Sequence, residues 1–429
     1  MYIHHKLSAI IKGEHIIMDA FETKLARYAD LTLEIGLNIQ PGQRLQIRAP
    51  MLSAPFTRMV VKRAYQKGSP LVDVVWMDEQ LQLIRHQHAP RGTFEEFPVY
   101  LAEGRIQNVK DGGAALYVSG EDPDLLSDQD PDNLAAVEKT FMKHMKEFYD
   151  LLGDNYFNWS IVSYPTPAWA KKVFPEEPAL EREARLWEAI FQVCRINEPD
   201  PNAAWQTHIA NLKARSKYMT GKQYAALHFS APGTDLKIGL AERHLWDGGG
   251  ETTRSGNFFT PNMPTEEIFC LPHRERIDGH VSASMPLSRS GALVEDFRLQ
   301  FDSGRVTKVE ARKGKETLQN LIAIDEGMGS LGEVALVPYS SPISKLGILF
   351  YNTLLDENAA SHIALGDGVR FCMQDAEMMS DEEYAARGGN TSLNHIDFMI
   401  GSAQMDVDGI RADGSHEPVM RAGEWAFDM

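Results

Sequence analysis

The hydrophobic pattern changes its period part-way along the chain, and this limits the available folds more than any other feature. Up to about residue 170, helical stripes alternate with short apolar runs. Phe21, Leu25, Tyr28 and Thr32 fall on one helical stripe, and Gly36 follows as a stop. Pro41-Gly42 reads as a turn, and Arg44 to Arg48 as a strand. Phe56, Met59, Val60 and Ala64 form a second amphipathic helix, closed by Gly68. Leu71 to Trp76 is a nearly continuous apolar run, as expected of a buried parallel strand, and Ala114 to Val118 repeats it. This alternation predicts a mainly parallel sheet covered by helices.

Two helices are expected over Leu180 to Cys194 and Asn202 to Lys217. From about Tyr224, short alternating strands take over: Ala225 to Phe229, Leu236 to Leu240, Ile277 to Ser284, and Ala292 to Phe301. Asp302-Ser303-Gly304 joins the last of these to Arg305–Ala311 as a hairpin. Lys315 to Ile324 reads as a helix, Gly332 to Pro338 and Ile396 to Ile400 as strands. The expected architecture is an α/β N-terminal domain over residues 18–170 and a mixed α+β, strand-rich C-terminal domain over 171–429. Residues 1–17 carry His4, His5 and Lys6 around short apolar pieces and are expected to be a disordered extension, not a secretory signal.

Composition narrows the function. The 429 residues include 43 Lys plus Arg against 60 Asp plus Glu, a net charge of −17 that repels phosphate backbones. Nucleic acid is therefore excluded as a partner, and a cationic ligand, a metal included, is favoured. No apolar run is long enough to span a bilayer. Cys194, Cys270 and Cys372 are too few and too scattered for a disulfide framework. They are expected to be buried thiols in a reducing cytoplasm.

The glycine-rich stretch Gly327 to Gly332 matches a dinucleotide fingerprint only in spelling. That fingerprint needs a strand before it and a helix after it, and here the order is reversed. The acidic and histidine residues are more informative. His395 and Asp397 are two apart and leave the same face of an extended segment. Such a pair can hold a divalent metal or simply be an Asp orienting a His. Asp356-Glu357 begins a phrase of small residues that runs into His362, and reads equally as a helix N-terminus. Glu333 stands at the mouth of an apolar strand. Glu266 and Glu267 face opposite sides if extended, so at most one serves a shared site.

Four phrases taken together resemble the M29 family of metallo-aminopeptidases, the thermophilic-aminopeptidase or AmpS-like group. They are Asn262 to Phe269, Asp325 to Val337, Leu355 to Gly366, and Asn394 to Ser402, in that order along the chain. The segment from Phe21 through Gly42-Gln43 is similar to the family's opening, so the likeness runs from Met18 to near the end. The resemblance implies an aminopeptidase acting on peptide substrates, a C-terminal domain that binds two divalent ions (Zn, Co or Mn), and a homodimer. By position, the implied ligands are Glu267, Glu333, His362, His395 and Asp397. Glu333 is expected to double as a catalytic residue, and Glu266 or Glu326, each beside a site segment, is the candidate acid/base. One position departs from the pattern: the family has a tyrosine seven residues after the histidine, where this chain has Val369. Tyr351 and Tyr384 are the nearest other tyrosines in sequence. Two alternatives stay open: a related hydrolase or an iron oxygenase needing only His362, His395 and Asp397, and a non-catalytic metal- or peptide-binding protein.

Overall fold

The first helix, Gly13–Leu31, continues through one wider turn to Gly36 and buries Leu25, Tyr28 and Thr32. The structure, a computed structural model, describes residues 13–289 and 292–429. The expected extension lies outside the described residues as far as position 12. Strands β1 (Leu45–Pro50), β2 (Val72–Met77), β3 (Ala114–Ser119) and β4 (Trp159–Ser163) form a parallel sheet in the order β2-β1-β3-β4. The helix Ala54–Gln66 covers it with Phe56, Thr57, Val60 and Ala64.

One strand differs from expectation. The apolar run Leu71–Trp76 does form a parallel strand, but β2 is the sheet edge, not an interior strand. Leu71 is 50% exposed and Trp76 42%. Apolar content alone cannot tell an edge from a centre, because sheet order is a tertiary property.

A fifth parallel strand arrives from far along the chain. Strand β5 (Asn262–Met263) pairs with β4, Ile161 opposite Asn262 and Val162 opposite Met263. The helices Ala179–Val193 and Pro201–Lys222 carry the chain between the two regions. Asp200 caps the second helix by accepting from the Ala203 N–H, with Pro201 in the first turn.

Two antiparallel sheets dominate the second half, beside two short two-stranded ones. The larger has eight strands and runs from Arg305–Glu310 at one edge to Glu424–Trp425 at the other. Its hairpin turns through Ser303 and Gly304, both at positive φ, as a tight two-residue turn requires. The expected strand Ala292–Phe301 is broken into Ala292–Val294 and Arg298–Asp302, with Asp296 at positive φ between them. The smaller sheet orders β6 (Ile268–Cys270), β7 (Leu331–Leu336), β8 (His362–Gly366) and β9 (His395–Met399). One face of this sheet, with Val334, Leu336, Ile363, Leu365, Ile396 and Phe398, packs into the core shared with the larger sheet. The period of two then dictates what the other face carries.

Candidate metal centre

Register across the small sheet assembles the polar face. Glu333 lies opposite Ala364, which lies opposite Asp397; His362 lies between Ala335 and Met399; His395 lies opposite Gly366. Directly opposed residues share a face, so Glu333, His362, His395 and Asp397 point the same way. A bulge at Gly332 sits immediately before Glu333, where a Cβ would collide with the carbonyls of Gly366 and Asp367. Glu267 precedes β6 and alternates with Ile268, which places it on the same side as Phe269 and Ala335.

The five residues form two groups that share one member. Glu267, Glu333 and His362 bring one ligand atom each within 4.8 Å of one another, and so do Glu333, His395 and Asp397. His362 Nε2 lies 2.9 Å from Glu267 Oε2 and 3.8 Å from Glu333 Oε1. His395 Nε2 lies 3.2 Å from Glu333 Oε2 and 3.3 Å from Asp397 Oδ1. The two oxygens of Glu333 thus face different histidines. Glu267 Oε2 is buried and within ion-pair distance of His362, but out of line for a hydrogen bond from it.

Both imidazoles present Nε2 to the cluster because Nδ1 is engaged elsewhere. His362 Nδ1 faces the Ala360 carbonyl at 3.1 Å, and His395 Nδ1 the Asp367 carbonyl at 2.7 Å. This is the outer-shell arrangement that fixes the tautomer of a ligating histidine. Burial disfavours charge on both rings, but the surrounding carboxylates, Glu267 at His362 and Asp397 at His395, outweigh it and hold both well above their ordinary proton affinity. Three carboxylates and two imidazoles in a buried pocket suit divalent first-row ions, and Glu267 Oε2, buried beside His362 without a hydrogen bond, offers a cation a ligand atom.

The cluster opens into a cavity of about 240 Å3. Phe269, Val369 and Phe371 line it with apolar side chains, and Asp247, Gly248 to Gly250, Glu251 and Trp159 line it as well. Lys213 Nζ donates to Asp247 Oδ1 at 2.8 Å and to the Gly250 carbonyl. Burial, and then the charge of Asp247, push the Glu251 carboxyl up to about 7. Val369 occupies its expected place beside the cluster. Among the described residues no tyrosine lines the cavity. Tyr384 packs with Leu271 and Cys372, and Tyr351 lies under the Lys172 ammonium.

Glu266 and Glu326 lie outside the cavity lining. Glu266 faces away and is buried in an ion pair with Arg195, Oε1 to Nη1 2.7 Å and Oε2 to Nη2 3.0 Å. Glu326 is on the surface, paired with Arg305 at 2.6 Å. A carboxylate that sequence reasoning left without a role stands in the cavity: Glu357. Burial, and then Glu267 and Asp397, push its proton affinity well above the ordinary carboxylate range. Asp356 holds the turn that delivers it, accepting from the N–H groups of Phe350 (2.7 Å) and Asn352 (3.0 Å). The signal was two acids in a phrase of small and apolar residues, which a helix N-terminus also explains.

Residues 21–425 match the family model described as thermophilic metalloprotease (M29). The aminopeptidase AmpS of Bacillus subtilis is 43% identical over 410 residues, 96% of this chain and all of that protein. Aminopeptidase T of Thermus thermophilus is 43% identical over 95% of this chain and all of its own length. The solved structure of wild-type AmpT from Thermus thermophilus superposes with a TM-score of 0.90 at 42% identity, covering 95% of this chain and 100% of that one.

Proposed function

Because the chain belongs to the thermophilic metalloprotease family M29, we propose that it is a metal-dependent aminopeptidase holding two divalent ions on either side of Glu333. The observation that carries this reading is the pair of ligand groups with Glu333 in common. Glu267 and His362 would complete one position, His395 and Asp397 the other. Zn, Co and Mn all suit this donor set. Such ions supply Lewis acidity and lower the pKa of water toward neutrality.

The protein groups do the rest. The carboxylate best placed to take a proton from water and return it to the departing amine is Glu357, which shares the cavity with the ligands. Glu266, whose two oxygens serve Arg195, instead anchors the turn that carries Glu267. A single iron on His362, His395 and Asp397 fits less well, because Glu333 stands in both ligand groups and His362 groups with Glu267. The three free, buried cysteines support a reducing cytoplasm, and a homodimer is proposed from the family resemblance.

The test strips the protein with a chelator and follows release from aminoacyl chromogenic substrates on adding Zn²⁺, Mn²⁺ or Co²⁺. Restored release supports the reading; metal uptake with no release from any substrate overturns it. Glu357→Gln should keep its metals and lose about 10²- to 10⁴-fold in kcat, the usual worth of a positioned proton carrier.

A further inference from the structure

The two histidines of the centre are held in place by different means. His362 is 1% exposed, and its Nδ1 partner is the carbonyl of Ala360, two residues away. Packing and its own strand are enough to fix it. His395 is 31% exposed, so packing leaves its ring free on one side. Its Nδ1 partner is the carbonyl of Asp367, which belongs to a different segment. The orientation of His395 therefore depends on what fixes Asp367 and the loop that leads into β9.

One carboxylate outside the cavity does this. Asp325 accepts from the Ser392 hydroxyl at 2.9 Å, from the Leu393 N–H at 2.7 Å and from the Met328 N–H at 3.0 Å. The Ser392 N–H in turn donates to Asp367 Oδ1 at 3.0 Å, and the Asp367 N–H donates to the Asn394 carbonyl at 2.7 Å. The Asn394 N–H donates back to Ser392 Oγ at 3.2 Å. Asp325 is thus tied to both ends of the support for His395: the loop before it and the carbonyl that holds its ring. Its carboxyl is drawn below the ordinary range, because these N–H and O–H donors outweigh the effect of burial.

We infer that Asp325 is a positioning residue for His395, acting through Ser392 and Asp367, and that it sets the affinity of the Glu333–His395–Asp397 position without affecting the Glu267–Glu333–His362 position. The inference rests on the reading of both groups as metal positions. A carboxylate can make three charge-assisted hydrogen bonds for loop stability alone; the asymmetry between the two histidines is what gives this one a consequence at the site.

The test is a titration of metal-free protein with Co²⁺, followed by calorimetry and by the visible absorption of the bound ion. Wild type should take up two ions. Asp325→Asn and Ser392→Ala should take up the first with wild-type affinity and the second about 10- to 100-fold more weakly, with an altered absorption band, as His395→Ala does more severely. Ser392→Ala removes one hydroxyl and carries the test if Asp325→Asn does not fold. Two ions at wild-type affinity in both variants, with only a lowered melting temperature, would overturn the inference. Failure of wild type to bind two ions would instead overturn the two-metal reading beneath it.

Discussion

Glu333 is one residue whose two oxygens serve two histidines, so its loss should not behave like the loss of an ordinary ligand. Glu267→Ala removes a member of one group only and should leave one ion bound, whereas Glu333→Ala should weaken both positions. Two other cavity residues make separate predictions. Val369→Tyr adds a hydroxyl beside the cluster; kcat should rise about tenfold or more, within the range of an added donor at a developing oxyanion, with metal content unchanged. An unchanged or lower kcat would show that the apolar lining suits this enzyme. The Glu251 carboxyl keeps its proton in the folded state up to about pH 7, while the unfolded chain releases it near 4.5. Stability should therefore fall as pH rises through that window, by about 3 kcal/mol. Glu251→Gln, which cannot ionise, should melt above wild type at pH 8 and with it at pH 4.5; an equal difference at both would exclude the effect. The five cluster residues were reached by position through the family resemblance, and only His395 and Asp397 were also placed on one face by their spacing. Arg195 as the partner of Glu266 was not legible, since 71 residues separate them and no local pattern records the pairing.

At the scale of elements, the centre exists because four short strands alternate between core and cavity. Val334, Ile363, Ile396 and Phe398 point one way; Glu333, His362, His395 and Asp397 point the other. That alternation was read at His395 and Asp397 alone; for Glu333 and His362 it emerges from the pairing of the strands. The bulge at Gly332 and the order of the strands were not readable, because both depend on partners elsewhere in the chain. Ala364 stands between Glu333 and Asp397 in the same row and is fully buried there. Ala364→Leu should fold with little loss of cooperativity yet bind less metal, since the added carbons enter the cluster and not the core. Normal metal content in a folded Ala364→Leu protein, measured by elemental analysis, would contradict this placement.

In the whole molecule the two regions are stitched together at the centre. Strand β5 completes the parallel sheet, and the chain runs from it through Pro264 and Thr265 straight to Glu267. Ile343, Phe350, Leu355 and Ala359, which lead toward His362, pack in the core beneath that same sheet. The hydrophobic pattern announced the two kinds of sheet but not this exchange, because a two-residue strand carries no periodicity of its own. With the ligands drawn from segments 267 to 397, bound metal should stabilise the entire fold. At free metal about 100-fold above Kd, each position should add about 2.7 kcal/mol, and chelation should lower the melting temperature of one common transition. Separate transitions, only one of them metal-sensitive, would mean that the regions unfold independently. The most direct measurement is the metal content of purified wild type beside Glu267→Ala and Glu333→Ala, each reloaded and dialysed under the same conditions. Two ions per chain in wild type, one in Glu267→Ala and essentially none in Glu333→Ala is the pattern expected of a shared carboxylate. One ion in wild type, or a Glu333→Ala protein that keeps both, would contradict it.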